Sequence, residues 1–195
     1  MVGRVNKDTY RDIGNSSFGT ARILNVSGST IAPATAVVFE SAQSNFTSVA
    51  ALTATKAIVT YASSTVSGKA CILDISGSVI TPATPAVFES ANTGYTSVGM
   101  LTSTKAIVVY RDVDNSSFGT TCILDVSGST TTPATPVVFE SSSTTFISVA
   151  SVSATTAVVT YRGGSTFGTA CSLDVAISTI TPATPVAFET AATNY

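Results

Sequence analysis

The stretch CILDISGSVITPATPAVFES at 71–90 returns as CILDVSGSTTTPATPVVFES at 122–141 and as CSLDVAISTITPATPVAFET at 171–190, and in a more worn form as RILNVSGSTIAPATAVVFES at 22–41. Self-similarity at a period of roughly 20–50 residues marks a repeat architecture and governs how everything else is read. Landmarks outside the stretch keep the same step. Tyr10, Tyr61, Tyr110 and Tyr161 are separated by 51, 49 and 51 residues, and the pairs Phe39-Glu40, Phe88-Glu89, Phe139-Glu140 and Phe188-Glu189 by 49, 51 and 49. The chain therefore divides into four units of a single repeat domain, taken as 1–46, 47–95, 96–146 and 147–195, with the first and last units incomplete.

Each unit reads as four short strands. TSVAAL at 47–52 alternates Val49 with small residues, while KAIVTY at 56–61 and KAIVVY at 105–110 are the near-continuous β-branched runs of a strand covered on both faces. ACILDI at 70–75 places Cys71, Leu73 and Ile75 on one face and Ile72 and Asp74 on the other. TPAVFES at 84–90 is the fourth strand. A turn rich in Asp, Asn, Ser and Gly, such as RDVDNSSFG at 111–119, joins the second strand to the third, and the tight SGS turn joins the third to the fourth. No stretch of a dozen residues carries a 3.6-residue period with caps, so helix is not expected.

Four antiparallel strands repeated every 50 residues is the arithmetic of a β-propeller blade, and the fold class expected is all-β, a β-propeller-like array of four blades. Proline removes a ladder donor, so the segments holding Pro82, Pro85, Pro133, Pro136, Pro182 and Pro185 belong on the outer edge. The small residues of TSVAAL, TSVGML and ISVASV suit the crowded axis and so belong innermost. A stacked β-solenoid is the alternative, though its coils are shorter than this unit.

Composition narrows the function classes. The 195 residues include 28 Ser and 33 Thr, with nine Lys and Arg against eleven Asp and Glu for a net charge of −2. That balance lacks the basic face that a nucleic-acid binder needs. A charged fraction of 10% against 44% hydrophobic residues also excludes a disordered chain. No apolar run reaches the roughly 20 residues of a membrane-spanning helix, and MVGRVNKDTY has no long apolar centre of a secretory leader. The chain is thus either not exported by that route or a processed, excerpted or engineered form; its expected setting is extracellular or on a virion or cell surface. There is no histidine, which removes His-based acid/base catalysis and His metal ligation. Cys71, Cys122 and Cys171 fall at the repeat spacing, so they read as one buried position copied rather than a disulfide framework.

The pattern TSVAALTATKAIVTY followed by FGTACILDVSGSTITPATPVVFES resembles the near-identical blades of bacterial, phage and metagenomic β-propeller repeat proteins, over essentially the whole chain. The resemblance implies the fold and leaves the activity open, because propellers host hydrolases, lectins and scaffolds alike. Sialidase-type blades fit poorly for want of Trp. Integrin-like blades share the Phe-Gly pair, here Phe18-Gly19, Phe118-Gly119 and Phe167-Gly168, but most of these units lack their calcium loop.

Few residues point to chemistry. Asp112, Asp114, Asn115 and Ser116 alternate oxygen side chains as a hard cation requires, but the acids are not repeated and no Glu closes the loop, so a plain Asx-rich turn is expected and no metal or other cofactor is assigned. Glu40, Glu89, Glu140 and Glu189 recur, as do Asp74, Asp125 and Asp174. Groups copied into every unit read as blade-to-blade hydrogen bonds or ion pairs, with Arg11, Arg111 or Arg162 as candidate partners. Ser103 and Lys105 form only a faint Ser-Lys match, and no catalytic residue is assigned. Sugar binding is the sharper alternative, with aromatic platforms from Phe46, Tyr95, Phe146 and Tyr195 or from the Tyr10 series. Asn15, Asn25, Asn45 and Asn115 lie in N-x-Ser/Thr sequons, which so much Ser and Thr produces by chance.

The reading is a non-enzymatic repeat propeller with a structural or self-assembly role, the alternative being a multivalent lectin-like propeller that binds glycans. Three inner strands are expected against four outer ones, VGRVNKDTY is too polar to match ATKAIVTY, and unpaired edges recruit other chains. The expected partner is therefore a second copy, in a ring-closing dimer or a head-to-tail assembly.

Overall fold

A computed structural model describes residues 4–64, 67–164 and 167–191, with side chains from residue 8 onward. Eighteen strands and no helix make up the described chain. The first blade holds β1 (Arg4–Asp12), β2 (Phe18–Ser27), β3 (Thr30–Pro33) and the first part of β4 (Val37–Thr53). The second half of β4 opens the second blade, followed by β5 (Lys56–Ser63), β6 (Gly68–Ser76), β7 (Val79–Pro82) and β8 (Ala86–Glu89). The third blade is β9 (Thr93–Thr102), β10 (Lys105–Asp112), β11 (Phe118–Ser127), β12 (Thr130–Pro133) and β13 (Val137–Ser143). The fourth is β14 (Thr145–Ser151), β15 (Thr156–Arg162), β16 (Gly168–Ala176), β17 (Thr179–Pro182) and β18 (Val186–Glu189). All pairing is antiparallel, and the outer strand of one blade leads into the inner strand of the next.

The pattern of side chains accounts for this order. In β5 every residue from Ala57 to Ser63 is buried, as a strand sandwiched between two neighbouring sheets must be. The inner segments TSVAAL, TSVGML and ISVASV pair only with the second strand of their own blade, and small side chains there let adjacent inner strands approach. The approach is close enough for the backbone N–H of Val98 to donate to Ser48 Oγ at 3.1 Å and that of Val149 to Ser97 Oγ at 3.2 Å.

Two sequence expectations are corrected. The fourth strand is two short segments rather than one, both paired with the free edge of the third strand: β7 and β8 lie end to end along β6, and β12 and β13 along β11. The break follows Pro82. Ala83 still bonds its N–H to the carbonyl of Ile72 at 2.8 Å, but Pro85 offers no donor, and the ladder resumes only at Ala86. The second correction concerns VGRVNKDTY. Its described part, from Arg4, does occupy the second-strand position, with Tyr10 opposite Thr20 as Tyr61 is opposite Lys69. One face of β1 looks away from the array, so Asp8 sits there in solvent and the strand tolerates polarity that β5 could not.

The core is three apolar seams rather than one centre. Ala21, Ile23 and Phe39 meet Ala57, Val59, Tyr61, Cys71 and Leu73 between the first and second blades. The same positions one repeat on fill the second seam, with Ile72 and Phe88 against Val108, Tyr110 and Cys122. In the third, Ile123 and Phe139 lie against Val159, Tyr161 and Cys171. Among the described residues the apolar seams join successive blades only and none joins the fourth to the first, where Phe188 is exposed, so the array is open.

Candidate functional site

The recurrent carboxylates lie in the seams. Tyr61 donates its hydroxyl to Glu40 Oε2 at 3.0 Å, Tyr110 to Glu89 at 3.0 Å and Tyr161 to Glu140 at 2.9 Å, each bond crossing from one blade to the next. The recurring donor is a tyrosine, not the arginine that the sequence offered. Arginine follows tyrosine in the strand, so alternation turns it to the opposite face. Arg11 reaches Asn45 Oδ1 at 2.5 Å, Arg111 reaches Ser117 Oγ at 2.7 Å and Arg162 reaches Thr145 Oγ1 at 3.1 Å. The phenylalanine beside each glutamate packs tilted or edge-on against the same tyrosine, with ring centroids 5.1, 5.1 and 5.3 Å apart. Burial, and then the neighbouring carboxylate, pushes all three tyrosine hydroxyls far above their ordinary range.

The glycine at the start of each third strand, preceded by phenylalanine in Phe18-Gly19 and Phe118-Gly119 and by Ser67 in the second blade, belongs to this arrangement, which sequence reasoning did not anticipate. A Cβ on Gly19, Gly68 or Gly119 would stand 2.5, 2.4 or 2.6 Å from the ring of Phe39, Phe88 or Phe139. The absence of a side chain is what lets the phenylalanine lie flat on its own blade. The signal was the shared 49–51-residue spacing of the two motifs.

The remaining polar candidates serve turns and seams. Lys56 and Ser129 donate to Asp74, hold its carboxylate below the usual range, and thereby tie the second blade to the third. Lys105 Nζ donates to Asp125 and to the carbonyl of Ile177 in the fourth blade, so it is engaged away from Ser103. Asp112 accepts from the backbone of Asn115 at 3.2 Å, an Asx turn, while Asp114 accepts from that of Asn92 at 3.0 Å. Burial pushes the Asp112 carboxyl up. Cys71, Cys122 and Cys171 are buried free thiols that donate to the carbonyls of Ala83, Ala134 and Ala183 at 3.2, 3.0 and 3.1 Å. Burial lifts the first two to about 12 and raises the third.

Of the aromatic platform candidates, Phe46, Tyr95 and Phe146 come together in one column, and Tyr195 lies outside the described residues. Each stands at an irregularity in its inner strand with φ near 50° (51°, 51° and 53°), a left-handed conformation that turns the ring out of the ladder toward its equivalent in the next blade. Centroids are 4.9 Å apart for Phe46–Tyr95 and 5.6 Å for Tyr95–Phe146, and the Arg162 guanidinium lies 4.9 Å over the Phe146 ring. Phe46, 48% exposed, opens this column to solvent beside Arg11, Gln43 and Asn45.

A second feature repeats at the outer rim of the seams. Between the second and third blades, Ala83–Ala86 and Ser129–Thr131 enclose a groove of about 420 Å³. Between the third and fourth, Ala134, Thr135 and Val137 face Ser178, Thr179 and Ile180 across about 510 Å³. Both are lined by hydroxyls, Ala and short apolar side chains, with no charged side chain.

No family profile and no curated protein matches the sequence. Among solved structures, that of the SapL1 lectin in complex with alpha methyl fucoside is similar in fold, with a TM-score of 0.51 at 12% identity, over 94% of this chain and 63% of the lectin chain. The chain thus spans less than two thirds of that protein's length. The sheets, the seams and this similarity together make the protein an all-β, β-propeller-like repeat array.

Proposed function

We propose that this protein is a glycan-binding propeller, non-enzymatic, in which weak sites repeated from seam to seam act together. The observation that carries the reading is the recurrence of the same uncharged, hydroxyl-lined groove at two successive seams. Grooves of about 300–1,000 Å³ suit small ligands, and a lining without charge suits a neutral polyhydroxylated ring over a phosphate or a carboxylate. Two copies at a fixed spacing raise avidity without new contacts. The fucoside in the SapL1 structure supports the same ligand class for the shared fold. The exposed ring of Phe46, with Tyr95, Phe146 and Tyr195 as further aromatic candidates, is the second place where a sugar would stack.

A glycan array probed with the intact chain is the test. The expected result is binding to a subset of neutral glycans, lost when Thr130 and Thr179, the exposed equivalents at the two rims, are both replaced by Trp to fill the grooves. Loss in Phe46→Ala but not in the double variant would move the site to the aromatic column. A folded chain that binds nothing on a broad array sinks the glycan reading. A structural role is then the reading that stands, and it has an observation of its own in the open face of the fourth blade.

A further inference from the structure

The two outward faces of the array differ from the internal seams at matching positions. At each seam a phenylalanine and a glutamate of one blade meet a tyrosine of the next; Phe39, Phe88 and Phe139 are 6%, 5% and 5% exposed in consequence. The fourth copy, Phe188, is 56% exposed, and Val152 and Val186, whose copies pack into the internal seams, are open on the same face. Glu189 accepts only the backbone N–H of Ala191 among the described residues. At the opposite end of the array, position 10 keeps the tyrosine that such a pair would receive, and among the described residues no glutamate reaches it.

A second position sharpens the match. Where Ile23, Ile72 and Ile123 pack against Val59 and Cys71, Val108 and Cys122, and Val159 and Cys171, the open face of the fourth blade has Ser172 instead of isoleucine. The first blade has Asp8 and Arg22 instead of the valine and the cysteine. These two lie directly opposite each other across β1 and β2. Both halves of the fourth seam are therefore polar at the place where all three internal seams are apolar, and both keep the Phe-Glu and Tyr halves of the conserved geometry. An isologous contact between two fourth-blade faces would bring no tyrosine to Phe188 and Glu189 and would leave Tyr10 without a role.

We propose that the fourth-blade face carrying Phe188, Glu189 and Ser172 docks the first-blade face of a second copy of this chain, with Tyr10 seated on Phe188 and donating to Glu189 and the Asp8–Arg22 pair covering Ser172. The contact is heterologous, so it continues head to tail until rotation closes a ring. It does not depend on glycan binding. Because it sets Asp8 and Arg22 against a serine where the internal seams set valine and cysteine against isoleucine, it buries less apolar surface than they do.

Light scattering on the intact chain across a concentration series tests it, with Tyr10→Asp, Phe188→Asp and their mixture run alongside and far-UV circular dichroism confirming that each is folded. The expected result is a mass that rises above 19.7 kDa with concentration for the parent chain. Each variant alone stays at the single-chain mass, and the mixture forms a two-chain species, since each variant supplies the face the other lacks. A parent chain that stays at 19.7 kDa at every concentration overturns the proposal. So does assembly by Tyr10→Asp alone, which would mean that two fourth-blade faces meet each other.

Discussion

Tyr110 and Glu89 meet across the seam between the second and third blades, hydroxyl to carboxylate at 3.0 Å, with the tyrosine wholly buried. The same bond at both neighbouring seams makes this pair the unit that fixes the angle and spacing of successive blades, while the apolar seam supplies most of the free energy. Replacing Tyr110 by Phe keeps the ring on Phe88 and removes only the donor. The expected loss is about 1–3 kcal/mol, because the partly buried Glu89 oxygen loses a charge-assisted bond. A denaturant midpoint measured against the parent chain checks it; a midpoint unmoved would mean water replaces the hydroxyl freely.

The three thiols predict a stability loss in alkali. Cys71 and Cys122 are lifted from the ordinary 9.0 to about 12 by burial. A raised native pKa means that the folded state holds its proton more tightly than the unfolded chain. The contribution is thus fully present below the unfolded pKa and falls away as pH climbs from about 9 toward about 12. The denaturant midpoint should therefore decline over that window, and the buried tyrosines, displaced in the same direction, steepen the decline at its upper end. In the native protein near pH 8, a thiol reagent should find these cysteines unreactive until denaturant is added.

The fourth blade holds a strained turn. Gly28, Gly77 and Gly128 sit at φ of 59°, 58° and 60° in the tight turn after the third strand, but the fourth copy of that position is Ile177, at φ 38° and 89% exposed. A β-branched side chain in the left-handed region costs about 1–2 kcal/mol, and so exposed a residue contributes little packing in return. Ile177→Gly should stabilise the fold by about 1 kcal/mol, after subtracting the entropy glycine adds to the unfolded chain. A calorimetric melting temperature decides the sign.

Val108 tests the seams themselves. It is fully buried in the strand covered on both faces, packed with Ile72, Tyr110, Cys122 and Leu124. Val108→Asp introduces an unpaired charge there, with an expected loss of more than about 3 kcal/mol. The midpoint or soluble yield of the variant measures it, and a value like the parent's would contradict the burial.

The period of 49–51 residues and the alternation within each copy were enough to place the first three strands of the complete copies, their antiparallel order and the buried cysteines, because those follow from which residues can face a sheet neighbour, but not the break in the fourth strand. Pro82 and Pro133 marked the outer edge for the same local reason, a missing donor. What the sequence left open depends on how one blade lies against the next. Nothing local says that Glu89 finds Tyr110 rather than Arg111; that is decided by strand alternation and by the offset between sheets. The Phe46–Tyr95–Phe146 column exists only because an irregularity in each inner strand gives its aromatic residue a positive φ, which brings residues about 50 positions apart into contact. The matched polarity of Ser172 with Asp8 and Arg22 acquires meaning only once both are placed on outward faces. The repeat by itself determined the blade. The seams, and with them every candidate site, were decided by tertiary packing, because each is built half from one blade and half from the next.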